Sequence, residues 1–490
     1  MYDVIVIGAG PSGLAVAQGC ARFGQRVLVI DREATIGGCH RVRRVDGGLF
    51  TEHGPRIYNT NYRTFGRFLN EMGEGLHSLF VRADVALPLG IHRIRWRDRM
   101  AIFGTILRTT FQPGYGKDVS MAAYMDAHRF SAASRDAIDR ACLATDGAAA
   151  DRYTVFEFFN IIHQHAFSHV LEPRQPTDTG LFALWQGFLE ARGVRFVLGA
   201  DVRGIRPVAG GGIVEWGAGQ TAQAARIVLA VPPEAAARIL RATPVKDAFG
   251  PIDDFHRWAH ATSYQDYVSF TMHFHPGAVA ADVPADTRPT PWGVIAVPLS
   301  RYMRFVDLSN TGETVYSCII TRLDAVSPAT GRSPNQSTMD ELLAEAVRQA
   351  REAIPGLPEP DRTVVSPGAY WNPRGHWDDV DTAFVRIPGV RFIEQGSSTV
   401  PWLWNVGCHN GFQRYQFTSL EAAVSNSAAL LHTWFGDQAR AAYPILGPFE
   451  LRQAIWILLG ALALAAAAGA VLRSPRAMAR AKPKAKAKKA

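Results

Sequence analysis

Lysine is almost missing from the body of this chain. Only Lys117 and Lys246 precede a C-terminal tail that carries Lys482, Lys484, Lys486, Lys488 and Lys489. Cysteine is sparse as well: Cys20, Cys39, Cys142, Cys318 and Cys408 are scattered, and no pair has metal-knuckle or redox-motif spacing, so reduced thiols are the simplest expectation. His163, His165 and His169 recur at helical spacing without a carboxylate partner of metal-site type, so no metal is expected. A leader is also missing. Strand-like Val4–Ile7 follows Met1 too closely for a charged region and a cleavage site, so the body is expected on the cytoplasmic side. The body even lacks net charge. The formal +8 arises in residues 473–490, which hold eight basic side chains and no acid; the remaining 44 Lys+Arg balance 44 Asp+Glu. A neutral body argues against nucleic acid as the main ligand of the globular part, and no specific nucleic-acid partner is expected.

What is present begins at the second residue. Tyr2–Ile7 reads as a buried strand, Gly8-Ala-Gly-Pro-Ser-Gly13 as a turn, Leu14–Phe23 as a helix stopped by Gly24, and Arg26–Asp31 as a second strand. Gly8, Gly10 and Gly13 form G-x-G-x-x-G within this β-α-β unit. The first glycine permits the tight turn, the second lets backbone approach a pyrophosphate, and the third lets helix pack on strand. Pro11 and Ser12 open a helix whose free N–H groups and dipole favour phosphate. Asp31 ends the second strand, where a carboxylate accepts from ribose hydroxyls, with Arg32 beside it.

Downstream come Gly37-Gly38, then Gly47-Gly48-Leu-Phe and Glu52-His-Gly-Pro-Arg56, and later Val228-Leu-Ala-Val-Pro-Pro233. In these motifs the chain resembles the amine oxidase, protoporphyrinogen oxidase and phytoene desaturase superfamily of flavoproteins. The resemblance implies FAD as cofactor, Pro55 and Arg56 near the flavin, Val202 meeting the adenine side through its backbone, and Glu394 near the ribityl phosphate. The family has Arg after the Gly pair, where this chain has Cys39-His40. Many amine oxidases of the superfamily hold a water near the flavin through a lysine in a strand after the Pro-Pro pair. The comparable strand here, Tyr267–Phe274, has none, so a typical amine-oxidising centre is not expected. A narrower likeness exists: Gly54-Pro-Arg-Ile-Tyr-Asn-Thr-Asn61 is similar to a segment of the UDP-galactopyranose mutases whose histidine faces the flavin, and Arg56 stands in its place. An Arg there either holds an anionic reduced flavin or substrate phosphate, or pairs with a nearby acid.

The implied fold class is α/β: a Rossmann-like FAD-binding domain of the GR2 flavoprotein type, assembled from residues 1–60, 186–250 and 385–436. An inserted α+β substrate domain takes 61–185 and 251–384. A short strand is expected at Val390–Ile393, and a last helix from Ser419 to Trp434. Between these two, Pro401–Gly411 offers Trp402, Trp404, His409 and Asn410, either as a substrate wall or as core packing and loop capping. Residues 437–453 read as a linker. Ala454–Leu472 carries no charge over 19 residues, about 28 Å of helix, close to a bilayer core of about 30 Å. The basic tail 473–490 favours an anionic lipid surface. The expectation is an FAD-dependent oxidoreductase moving a hydride to or from a hydrophobic or membrane-associated small molecule, held by a single C-terminal span. The alternatives are a mutase-like flavin-dependent isomerase and a non-catalytic flavin-binding protein.

Overall fold

The computed structural model describes residues 1–45, 48–83, 91–261, 263–264, 267–281, 283, 288–303, 313–380, 384–385, 393–415 and 418–472. Strand β1 (Tyr2–Ile7), whose Val4-Ile-Val-Ile7 is a β-branched run, pairs in parallel with β2 (Val27–Ile30) and with the strand Gln220–Leu229. Both faces are covered, as a parallel sheet requires. Alternation along the strands splits the core in two. Val4, Val6, Val27, Val29 and Val228 face one layer, with helix α1 (Pro11–Arg22) and the helix Leu420–Ala442. Ile5, Ile7, Leu28, Ile30 and Leu229 face the other, with the helices Pro233–Arg241 and Ile252–Ala261.

Arg195–Val197 extends this sheet beside β2. On the other side the antiparallel meander Val202–Val208, Gly211–Trp216 and Gln220–Leu229 follows, and Leu403–Asn405 pairs in parallel with the last of these. A second, antiparallel sheet runs in the order Val294–Pro298, Thr314–Ile320, Val268–Phe274, Arg362–Val365. It packs on the helix Met339–Ala353, which opens on a reciprocal Thr338/Glu341 cap. The helices Trp96–Phe111, Met121–Ala127, Ala132–Asp146 and Val155–His165 form a third, helical layer with its own core around Tyr124 and Phe159.

Packing moves several expected boundaries. The helix Arg63–Glu71, expected in the substrate part, and the helix Leu181–Glu190, which the expected boundary at 185/186 divides, send Phe65, Phe68, Phe182 and Trp185 into the core around α1. Buried Glu421 accepts the Thr64 and Phe65 N–H groups at 2.8 and 2.9 Å and so caps the first of them. The last helix continues past Trp434 to Ala442, across a break at Gly436 (φ 58°). The stretch 437–453 is docked on the body. Tyr443 is buried, stacks on Phe68 at 4.2 Å and donates to Glu71, while Arg63 donates to the Gly447 carbonyl at 2.8 Å. A helix, Leu451–Leu472, follows directly; of its apolar window Leu451–Ala468 none is buried. Val390–Phe392 and the basic tail 473–490 lie outside the described residues.

Candidate functional site

The glycines of the first turn have different neighbours. A Cβ on Gly8, whose φ is 110°, would lie 2.3 Å from the Ala230 carbonyl oxygen, and one on Gly13 would lie 1.9 Å from that of Gly8. Those two are glycine because protein occupies the space. Gly10 has an ordinary extended backbone (φ −78°), and a Cβ there would meet only the Gly38 backbone, its Cα at 3.5 Å and its N at 4.0 Å. The protein gives no reason for its bareness; the space in front of it is cavity. Among the described residues no side chain caps the α1 N-terminus beside it or accepts from the first-turn N–H groups of Ser12 and Gly13.

That space belongs to a cavity of about 1490 Å³. Ligand pockets usually span about 300–1,000 Å³, so there is room for more than one small molecule. At its nucleotide end lie Gly8, Gly10, Pro11, Ser12, Asp31 and Arg32, and further along Gly38, Pro55, Arg56 and Val202. Asp31 accepts the Ala9 N–H at 2.6 Å and the Glu33 N–H at 2.8 Å, which leaves each oxygen a lone pair. Burial pushes its pKa up, and these two N–H donors together with the guanidinium of Arg41, 3.8 Å away, pull it back. Gly37 lies behind the lining, its N–H on the Ala9 carbonyl at 2.9 Å. Cys39, His40 and Arg41 also line the cavity. The basic residue absent directly after the Gly pair is thus present two positions later, as buried Arg41.

Arg56 lines the cavity and donates to the Cys39 carbonyl. Behind it two carboxyls are buried. Burial pushes the Glu52 carboxyl up to about 7, opposed by the Arg56 charge, and burial together with Glu52 raises Glu172 well above the carboxylate range. Nearby, His53 and Asp379 meet at 3.2 Å with both side chains fully buried, and His53 stacks on Tyr267 at 4.6 Å.

The other limb is built from the helical layer and the loop before the last helix. Leu143, Ala144, Ile161 and Val170 give it an apolar wall. Tyr62, His165 and Tyr415 give it a polar one: the Tyr415 hydroxyl is hydrogen-bonded to His165 Nε2, and burial takes the imidazole pKa down to about 4. His163 instead meets Thr109 and His169 meets Arg82, so the three spaced histidines have three separate partners. Among the described residues no lysine lines the cavity.

The structure divides the remaining candidates. His409 lines the cavity, 3.0 Å from Asn405 Oδ1 and held neutral by burial, which lowers its pKa to about 4. Asn410 is a loop brace, donating to the Ile393 carbonyl and Asn405 and accepting the Gly407 N–H. Trp404 is part of a strand and packs edge-on against Trp434 at 5.4 Å, and Glu394 is exposed; neither lines the cavity. Sequence reasoning missed His165, Tyr415 and Tyr62, because segments far apart in the chain bring them together.

Residues 6–72 match the model of an NAD(P)-binding Rossmann-like domain. The UDP-galactopyranose mutase of Mycoplasma genitalium is 35% identical over 102 residues, which is 19% of this chain and 25% of the mutase. The chain thus spans a quarter of the length of that curated relative. Among solved structures, putrescine oxidase bound to putrescine superposes with a TM-score of 0.64 at 15% identity, covering 88% of this chain and 98% of the oxidase. The cyclohexylamine oxidase of Brevibacterium oxydans superposes with a TM-score of 0.63 at 13% identity, covering 88% and 99%. The chain has the fold of these amine oxidases. At such identities the likeness concerns the fold, and the chemistry has to be argued from the cavity.

Proposed function

We propose that this chain is an FAD-dependent oxidoreductase that transfers a hydride between flavin and a hydrophobic, membrane-associated small molecule. One observation carries the reading: a single cavity joins a bare-backbone phosphate cradle at Gly10 to an apolar limb large enough for a second ligand. The residues present fit FAD. Gly10 leaves space for a pyrophosphate, the uncapped α1 terminus offers N–H donors, and Asp31 keeps lone pairs for a ribose. When bound, FAD would supply hydride acceptance and donation. Arg56 places a fixed positive charge on the cavity wall, where it would stabilise negative charge on a bound flavin. Leu143, Ile161 and Val170 exclude water from the substrate limb, and the neutral His165–Tyr415 pair holds or receives a proton at the His165 Nε2 or Tyr415 Oη atom. That no lysine among the described residues lines the cavity argues against amines handled as in typical amine oxidases. The enzyme sits on the membrane through Leu451–Leu472, body on the cytoplasmic side. The test is anaerobic titration of the oxidised protein with membrane lipid extracts. Bleaching of the visible flavin absorbance supports the reading, and a full panel of extracts without bleaching opposes it.

A second reading is favoured by the mutase match and by Arg56 within Gly54–Asn61: reduced flavin serving an isomerisation of a sugar nucleotide without net redox change. Interconversion of UDP-galactose forms that depends on dithionite would select it.

A further inference from the structure

We propose that the helix Trp96–Phe111 lies in the plane of an anionic membrane surface, with its outward face in the acyl boundary, as a second contact beside the C-terminal span. The proposal rests on the reading that Leu451–Leu472 is membrane-inserted.

This helix is turned inside out relative to a helix facing water. Trp96, Met100, Phe103, Leu107 and Phe111 are 78, 55, 53, 37 and 53% exposed. At about 100° per residue these five fall within an arc of about 80°, one continuous stripe. The opposite face is polar and buried. Asp98 accepts from Ser134 at 2.6 Å and from Ser131 at 3.0 Å, Thr105 meets the Tyr124 hydroxyl at 2.8 Å, and Thr109 meets His163 Nε2 at 2.8 Å. A soluble surface has no use for a large indole and two phenyl rings aligned on the outside of a helix whose threonines point inward.

Three observations name the bilayer as occupant. The stripe is continuous with the apolar C-terminal helix, because Phe111 meets Trp456 edge-on at 5.0 Å, and exposed Phe167 and Phe449 meet beside it at 5.4 Å. The charge is complementary: Arg93, Arg95, Arg97 and Arg99 are exposed at the helix start, while the one acid among them, Asp98, is turned inward. The length suits an in-plane helix, since 16 residues make about 24 Å, short of the bilayer core of about 30 Å. The same helical layer ties membrane to cavity. Val155–His165 gives Ile161 and His165 to the substrate limb, while its Asn160 and Gln164 hold Arg452 and Glu450 at the root of the C-terminal helix.

The test uses the full chain reconstituted in vesicles of phosphatidylcholine and phosphatidylglycerol containing brominated lipid. Fluorescence differences between wild type and Trp96→Phe, and between wild type and Trp456→Phe, isolate each indole. Quenching of both is expected, with Trp96 quenched most by bromines near the headgroup and less in vesicles without phosphatidylglycerol. Replacing Met100, Phe103 and Leu107 by Ser should abolish quenching at Trp96 and leave that at Trp456. Quenching of Trp456 with none at Trp96 overturns the proposal and keeps the span. Absence of quenching at both removes the span and the proposal together. Trp96 shielded from lipid and aqueous iodide alike marks a second copy on the stripe, which also overturns it.

Discussion

The two ends of the cavity are made of different material. At the nucleotide end the surface is backbone: a turn held open by Gly8 and Gly13, a bare Gly10, and the first N–H groups of α1. At the other end it is side chains delivered from distant places, with Tyr62, Ile161 and His165 of one helix, and Tyr415 as examples. Backbone geometry is fixed by steric rules that every fold of this kind obeys, whereas a wall of side chains can be exchanged without disturbing the chain trace. The nucleotide end is therefore read as a binding site with a defined occupant, and the substrate end as the place where the chemistry is set.

The largest effect expected separates glycines within the first end. Gly13→Ala places a methyl 1.9 Å from the Gly8 carbonyl oxygen, so α1 must lift from the sheet. Overpacking of that kind costs about 3 kcal/mol or more, and loss of soluble protein or a sharply lower Tm is expected. Gly10→Val should do the reverse: the fold survives, since only the Gly38 backbone is near, while FAD affinity falls by about 100-fold or more as the side chain fills the pyrophosphate space. Equal thermal melts of apo wild type and apo variant, with flavin retained only by the wild type, would confirm it. If both glycine variants behave alike, the distinction between structural and ligand-facing glycines fails.

At the other end, Tyr415→Phe removes the hydroxyl from His165 without opening a cavity. FAD content should stay at the wild-type level while kcat/KM drops about tenfold, roughly 1.4 kcal/mol of transition-state stabilisation. A loss of flavin instead would place Tyr415 at the nucleotide end. The smallest effect concerns Glu52. Its carboxyl, raised by burial to about 7, is protonated in the folded protein well above the ordinary carboxylate pKa of about 4.3. The stability this contributes is complete below that ordinary value and is lost as pH rises through about 7. Between about pH 5 and 7.5 the Glu52 contribution should therefore fall with pH, against the opposite slope of the buried histidines His165 and His409, and Glu52→Gln should remove it, so that the difference between variant and wild type in denaturant midpoints grows with pH across the window.

The same contrast explains what could be read from the residues alone. The β-α-β unit was legible because β-branched strands, a glycine turn and an apolar helix are local patterns, and the Gly8–Gly13 turn has the anticipated shape. Domain edges were not. Nothing local marks Phe65 or Trp185 as belonging to the α1 core, and Pro444, Gly447 and Pro448 look like linker although Tyr443 is buried on Phe68. Trp404 and His409 sit five residues apart in an aromatic loop, yet one packs into the core and the other lines the cavity; only the register of Leu403–Asn405 against Gln220–Leu229 decides between them. The outward stripe of Trp96–Phe111 needed the structure, because amphipathicity states that a helix has two faces and not which one is buried.

The most direct test of the central claim is the flavin content of the purified full-length protein measured beside that of Gly10→Val. The account predicts a yellow wild type with one FAD per chain, all of it released into the supernatant by acid precipitation, and a folded, colourless variant. A wild type that stays colourless after reconstitution with FAD, or a folded Gly10→Val with wild-type flavin content, would contradict it.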